Sequence, residues 1–421
     1  MRPILSRAIL VLLPCALAVS ASCKKPVPTE GVHAGGGNPG TGPIGTVDAG
    51  PIAAVDAGPA DASFTKAKFV AAMGQCTSDR TADFVRRAEA LVAALEVDRD
   101  AGATTDAREA WSGAFASIQE LEGFAIGPYA HAPTLGAQAI RDELYAWPLV
   151  SRCRIEEQLV AREYEQATFS ASLVNARGMA AVEFLLFASD GANACSSFST
   201  INASGSWAAL GPSELAARRR AYALVAARDV AVRARALRDA WSAAGGNYQG
   251  IFASAGASSP VYATESLALN AVTDAIIYVD EYVKDWKLGK PAGFFECTTG
   301  TCLGAVEAPY ARASRSALVA NLAAARRIVQ GCGDGFAGLG VDDWLASVGA
   351  GDLANRLLGT LVTAQESVAA LDGPVDEVLA RDASKVALAH ANVRAFTLLW
   401  KGEVLPALSM QLPTSAQGDN D

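Results

Sequence analysis

The sequence predicts an all-α body that follows a disordered N-terminal tether. Residues 64–421 form long alanine-rich segments with few internal glycines and little alternation of β-branched residues, a pattern typical of helices. Residues 24–63, by contrast, are rich in Gly, Pro and Ala and poor in large apolar side chains. Such a segment cannot bury enough apolar surface to fold. The pentapeptide at 47–51, Val-Asp-Ala-Gly-Pro, recurs in this tether at 55–59.

Residues 1–22 are predicted to be a bacterial signal peptide. Two arginines flank the start of an apolar run over residues 8–19, which is too short to span a bilayer. Small residues then precede Cys23, as in bacterial lipoproteins, so we expect Cys23 to be lipidated and to begin a tether over residues 23–63. Ser20 stands where lipoprotein sites usually carry Leu or Val, which leaves cleavage by an ordinary signal peptidase as the alternative.

The charge pattern argues against a nucleic-acid partner. The formal net charge is −9, and the densest arginine stretch, residues 218–238, also contains Asp229. This mixture predicts a solvated helix face, because a nucleic-acid site would need a dense basic surface.

The cysteines favour disulfides. Of eight cysteines, Cys15 would leave with the signal peptide and Cys23 would carry lipid, and an even number in an exported protein favours pairing. Cys297 and Cys302 are expected to pair across a short loop. The other four allow three pairings, among which the sequence does not choose: Cys76, Cys153, Cys195 and Cys332. A zinc site at Cys297, Cys302 and Cys332 would have unusual spacing.

Apolar periodicity and helix-start residues predict the helices. Their expected ranges are 65–98, 104–126, 136–146, 155–187, 213–243, 262–287, 307–330, 341–371 and 374–410. One apolar stripe is expected to face the core, formed by Phe169, Leu173, Ala176, Ala180, Phe184 and Phe187. Glycines near 245–261 divide the body into halves of about 64–244 and 262–412.

Residues 178–187, Gly-Met-Ala-Ala-Val-Glu-Phe-Leu-Leu-Phe, resemble the Gly-x-His-x-x-Glu motif of the imelysin family of bacterial envelope proteins. Gly178 and Glu183 match, whereas Ala180 stands at the histidine position. Further segments resemble the family in its order: 107–111 with 122–128, 145–149, 285–291 and 307–310.

The resemblance implies two packed four-helix-bundle-like halves with a site between them, and a role in metal uptake. In the family, the motif His and Glu are the proposed metal pair, so Glu183 here lacks its imidazole partner. The remaining candidate ligands are Glu183, Glu122, Glu307 and His131, which would suit iron or another divalent cation. A structural ion pair of Glu122 or Glu183 with Arg177 or Arg108 is the alternative.

Catalysis is not expected. The sequence contains no His-Glu-x-x-His and no Gly-x-Ser-x-Gly motif. We therefore expect an exported imelysin-like lipoprotein, anchored on the periplasmic side or at the outer membrane. It would be a non-catalytic binding component linked to iron or metal uptake, with envelope proteins as partners. The alternative is an envelope scaffold for a peptide, a haem-like ligand or a partner protein, with metal binding lost.

Overall fold

The computed structural model describes residues 48–57, 63–131, 134–413 and 416. The predicted signal peptide and Cys23 lie outside the described residues. The regular secondary structure in the described ranges is helical, and no strand occurs there, which confirms the all-α prediction. None of the described helices combines the length and the apolarity that a membrane crossing requires.

The α-helices, in chain order, are α1 (Lys66–Ala101), α2 (Thr105–Glu122), α3 (Ile140–Leu144), α4 (Arg152–Ala161), α5 (Gly178–Phe187), α6 (Thr200–Ala203), α7 (Pro212–Trp241), α8 (Tyr248–Ala253), α9 (Glu265–Tyr278), α10 (Lys290–Ala292), α11 (Ser314–Gln330), α12 (Val341–Ser347), α13 (Gly351–Ala369), α14 (Val375–Leu399) and α15 (Leu405–Leu408). Two π-helical segments interrupt this series, Val279–Gly289 and Trp400–Val404. Short 3-10 turns cover Gly127–Tyr129, Glu163–Glu165, Phe169–Ala171, Val174–Ala176, Leu303–Ala305 and Asp334–Phe336.

Helix α1 organises the N-terminal part of the core. Thr65 begins it, since its hydroxyl accepts a hydrogen bond from the Lys68 backbone N–H, and Gly102 ends it with a φ of 69°, a conformation that favours glycine. The helix packs against α2, α7 and α9, and α2 also packs against α11. Helices from both predicted halves therefore share one apolar core.

The prediction of one helix over 155–187 is wrong. Helix α4 ends at Ala161, because the next residue, Arg162, has a φ of 56°. Short 3-10 turns then lead to Gly178, the first residue of α5, which has a φ of 78°. The predicted apolar stripe is therefore not continuous on one helix: Leu173 is 69% exposed, whereas Phe169, Ala176, Ala180 and Phe184 are buried as expected. A Cβ at Gly178 would lie 2.8 Å from the Leu144 carbonyl oxygen, so this close approach requires glycine.

Two other predicted helices begin late or divide. The helix predicted from residue 307 begins at Ser314, because Ala308 and Arg312 have positive φ values that a helix does not tolerate. The helix predicted over 341–371 divides at 348–350, where Gly349 has a φ of 81°.

The disulfides complete the framework. Cys297–Cys302 is confirmed, which excludes the zinc alternative. The remaining pairs are Cys76–Cys332, which joins α1 to the loop after α11, and Cys153–Cys195.

Candidate ligand-binding site

A cavity of about 390 Å³ opens beside the N-terminal half of α5. Ala180 and Glu183, three residues apart on this helix, both line it. The other lining residues are Trp147, Pro148, Val150, Arg152, Ile155, Phe184, Trp286, Lys290, Gly304, Ala305, Val306, Ala308, Pro309 and Tyr310. The cavity therefore contains the glutamate that the sequence motif selects.

Glu183 is buried, with 4% of its surface exposed. Its Oε1 accepts hydrogen bonds from the backbone N–H groups of Tyr310, at 2.8 Å, and Ala311, at 3.0 Å. Burial raises the pKa of Glu183 to about 7, with a further increase from Glu307 and an opposing effect of the two N–H groups. The carboxyl group is thus poised to gain or lose a proton near neutral pH.

The cavity also contains cationic and aromatic side chains. Arg152 lies 5.3 Å from the Phe184 ring centroid, and its guanidinium pairs with Glu156 at 2.7 Å. The Lys290 ammonium lies 3.8 Å from the Trp286 ring centroid. Apolar walls with a few convergent polar groups are typical of small-molecule sites, and these cations favour a ligand that carries negative charge.

Glu122 is a structural residue and does not line this cavity. Arg141 binds it twice, with Nη2 2.7 Å from Oε2 and Nε 3.1 Å from Oε1, and the Tyr129 hydroxyl donates to Oε1 at 2.5 Å. Burial alone would raise the pKa of Glu122, but Arg141 holds it at about 2. The expected partners Arg177 and Arg108 are not the ones observed.

Glu307 is also fully engaged. Its Oε1 accepts from the Gln119 amide at 3.0 Å and from the Tyr145 hydroxyl at 2.6 Å, while the Lys287 ammonium lies 3.0 Å from Oε2. Lys287 also donates to Gln119 and Asn321. This buried polar network joins α2, the first π-helical segment and α11.

His131 does not reach Glu183. Its ring stacks on Tyr282 with 5.6 Å between centroids, and burial lowers its pKa. The other body histidine, His390, lines a separate cavity and lies 4.9 Å, between ring centroids, from Phe294.

The predicted ligands do not fit a bare transition-metal ion. In the described part of the chain, no three of Glu183, Glu122, Glu307 and His131 bring ligand atoms within 4.8 Å of one another. The group of three that does so there is Cys153, Glu157 and Cys195, in which both thiols are used by a disulfide. The oxygens of Glu122 and Glu307 already serve other side chains, and Ala180 offers no ligand atom.

The sequence does not predict the cationic residues of the cavity, Arg152 and Lys290. Arg152 is the first residue of α4, whereas the predicted helix begins at residue 155. Lys290 lies in segment 285–291, which contributes only to the resemblance to the family. The sequence signals available for them are that Arg152 closely follows segment 145–149 and that Lys290 lies within segment 285–291. Their convergence on Glu183 depends on the tertiary fold.

The raised pKa of Glu183 predicts a pH-dependent contribution to stability. The pKa is about 7 in the folded chain and 4.5 ordinarily, so the folded state binds the proton more tightly, and stability falls as pH rises from 4.5 through 7. Relative to Glu183→Gln, we expect the parent to lose about 3 kcal/mol of unfolding free energy between pH 4 and pH 8, at 1.36 kcal/mol per pKa unit. Urea unfolding of both proteins measures this difference.

Asp274 and Asp342 also have pKa values raised by burial to about 7. The parent and Glu183→Gln both contain these two carboxyl groups, so their contribution to the pH dependence of stability cancels when the two proteins are compared. Parallel stability curves for the parent and Glu183→Gln would contradict the prediction.

Comparisons with known proteins agree with this architecture. The model of the imelysin family, peptidase M75, matches residues 75–397. An iron-regulated protein A precursor from Parabacteroides distasonis has a similar structure, with a TM-score of 0.62 and 15% sequence identity over 84% of this chain and 100% of that chain. An imelysin-like protein from Psychrobacter arcticum gives a TM-score of 0.61 and 15% identity over 85% of this chain and 99% of that one.

Among curated proteins, none matches the sequence. The family model covers most of the body and includes α5, the helix of Ala180 and Glu183. The chain therefore belongs to the imelysin family.

Proposed function

We propose that this chain is an exported, lipid-anchored and non-catalytic binding component linked to iron at the bacterial cell envelope. The family assignment and the similarity to the iron-regulated protein from Parabacteroides distasonis support the link to iron. The predicted signal peptide and Cys23 support export and a membrane anchor. Envelope proteins that deliver or receive the ligand are the expected partners.

The cavity around Glu183 carries the proposal. Its lining offers one carboxyl group, two cations and several aromatic rings, which is a poor ligand set for a bare ion. The same lining suits a small anionic molecule with apolar surface. We therefore propose that iron enters as a chelate, whose own oxygen ligands hold the ion while Arg152 and Lys290 attract its negative charge.

The lining also supports a role without catalysis. None of the described residues around the cavity is a histidine, cysteine, serine or threonine. Serine, threonine and cysteine hydrolases need an activated hydroxyl or thiol group, and metallopeptidase chemistry needs a metal-bound water. Glu183 alone provides neither.

Equilibrium dialysis of the chain against ferric citrate tests the proposal. We expect saturable retention of iron that weakens several-fold in Lys290→Gln, because that change removes a cation from the lining. Lys385→Gln is the matched control, since it removes the same charge from a half-exposed position of α14 that does not line the cavity. Retention that is equal in the two variants would contradict the assigned cavity, and no retention by the parent would favour the peptide or partner-protein alternative.

Restoring the motif histidine is expected to create metal binding. In Ala180→His, an imidazole would lie one helical turn from Glu183 inside the cavity. We expect the variant to bind zinc or ferrous ions. It should be stabilised by about 2.7 kcal/mol when the free ion is at about one hundred times its Kd. Thermal unfolding with and without metal measures this, and the effect should vanish in Ala180→His/Glu183→Gln. Equal stabilisation of the parent would contradict the prediction.

A further inference from the structure

Residues 48–57, which we call the strap, have no regular secondary structure and lie against α13 and α14. The composition of the tether does not predict this contact. Three backbone N–H groups of the strap donate to side-chain oxygens of the body: Gly50 to Asn392 Oδ1 at 2.6 Å, Ala53 to Thr363 Oγ1 at 2.6 Å and Ala57 to Asn355 Oδ1 at 2.7 Å. The body thus supplies hydrogen-bond partners to backbone groups that have none from regular secondary structure.

The face of α13 beneath the strap carries two hydrogen-bonding side chains and a glycine that allows the strap to approach closely. Asn355, Gly359 and Thr363 follow one another at intervals of four residues and so lie on one face of α13. A Cβ at Gly359 would lie 2.6 Å from the Ala53 carbonyl oxygen and 2.8 Å from Ile52 Cγ2. A glycine in the middle of a helix is unfavourable by itself. The close approach of the strap explains its presence.

The strap borders a second cavity, of about 560 Å³. Asp48 and Ala49 contribute to its lining from the strap. The remaining lining residues come from α14, the first π-helical segment and the turn after α10: Ala387, His390, Ala391, Arg394, Ala395, Leu398, Lys284, Asp285, Phe294 and Phe295. This cavity shares no lining residue with the one at Glu183.

We propose that the groove on α13 and α14 is a docking site for the strap, and that release of the strap removes one wall of the second cavity and widens its opening to small solutes. Hydrogen bonds to the body and the partial burial of Val55 and Ala57 hold the strap in place. Segments with so few buried apolar contacts open locally without global unfolding. Access to the cavity therefore depends on the segment that leads to the predicted anchor at Cys23.

A single introduced thiol tests the proposal. The described cysteines are all paired, so a chain with Cys15 and Cys23 changed to serine and with Ala391→Cys presents one free thiol in the lining. We expect slow labelling by a maleimide in this chain and several-fold faster labelling when Gly359→Ala is added. Gly351→Ala on the same helix is the control, since its Cβ would meet no atom within 4 Å, and it should leave the rate unchanged.

Hydrogen exchange provides the second readout. The amides of Gly50, Ala53 and Ala57 should be protected in the parent and in Gly351→Ala, and should lose protection in Gly359→Ala. If Gly359→Ala fails to fold, Thr363→Val removes one acceptor at similar side-chain size and should give intermediate labelling. Unprotected strap amides in the parent, or equal labelling rates in the strap variants and the parent, would overturn the proposal.

Discussion

Replacing Arg141 by methionine is expected to destabilise the protein by about 3 to 5 kcal/mol, because removal of one partner leaves a buried charge uncompensated. Glu122 is 1% exposed, and of the four hydrogen-bond contacts to its carboxylate three come from the Arg141 guanidinium and one from the Tyr129 hydroxyl. Tyr129 alone cannot stabilise the ionised group. Urea unfolding of Arg141→Met at pH 7 measures the loss.

An exposed ion pair provides the control for this change. Arg86 pairs with Asp83 at 2.7 Å, but its side chain is 68% exposed, so Arg86→Met should cost less than about 1 kcal/mol. The double variant Arg141→Met/Glu122→Gln should recover part of the stability lost by Arg141→Met, since no charge then remains buried. Similar losses of unfolding free energy for Arg141→Met and Arg86→Met would contradict the stabilising role of the buried pair of Arg141 and Glu122.

Replacing Lys287 by methionine is expected to cost a similar amount, about 3 to 5 kcal/mol. The Lys287 ammonium is buried and lies 2.7 Å from Gln119 Oε1 and 3.0 Å from Glu307 Oε2. Without it, the Glu307 carboxyl group is left with the neutral donors Gln119 and Tyr145 only. Because the network joins α2 to α11 through the first π-helical segment, urea unfolding should report a loss for the whole body.

A double-mutant cycle separates this effect from simple packing. We expect Lys287→Met/Glu307→Gln to be more stable than Lys287→Met alone, with a coupling energy above about 0.5 kcal/mol for residues in one network. Lys385→Met removes a half-exposed partner of Asp372 and is the surface control. Additive effects in the cycle would mean that Lys287 and Glu307 do not stabilise each other.

The sequence predicts long, regular helices well and breaks imposed by packing poorly. The ranges of α1, α2 and α7 follow from apolar periodicity and from helix-start residues. The predicted helix over 155–187 wrongly includes residues 162–177. Their conformation depends on contacts between distant segments, such as that of Gly178 with Leu144. No local pattern records a contact between segments so distant in sequence.

The same distinction holds for the candidate site. The motif locates Ala180 and Glu183, and both line the cavity. The partner of Glu122 was not predicted, since Arg141 belongs to α3 and meets Glu122 only after the turn at 127–129 brings the two together. The disulfides behave alike: Cys297–Cys302 is local and predictable, whereas Cys76–Cys332 spans 256 residues.

Calorimetric titration of the chain, after removal of metal, tests the central claim most directly. Ferrous, ferric, zinc and calcium ions would be titrated separately, followed by ferric citrate, into the parent and into Glu183→Gln. We expect no heat of binding from the bare ions and saturable binding of ferric citrate to the parent. Binding of a bare ion by the parent that is lost in Glu183→Gln would contradict this, and would show that the protein itself coordinates the metal without the motif histidine.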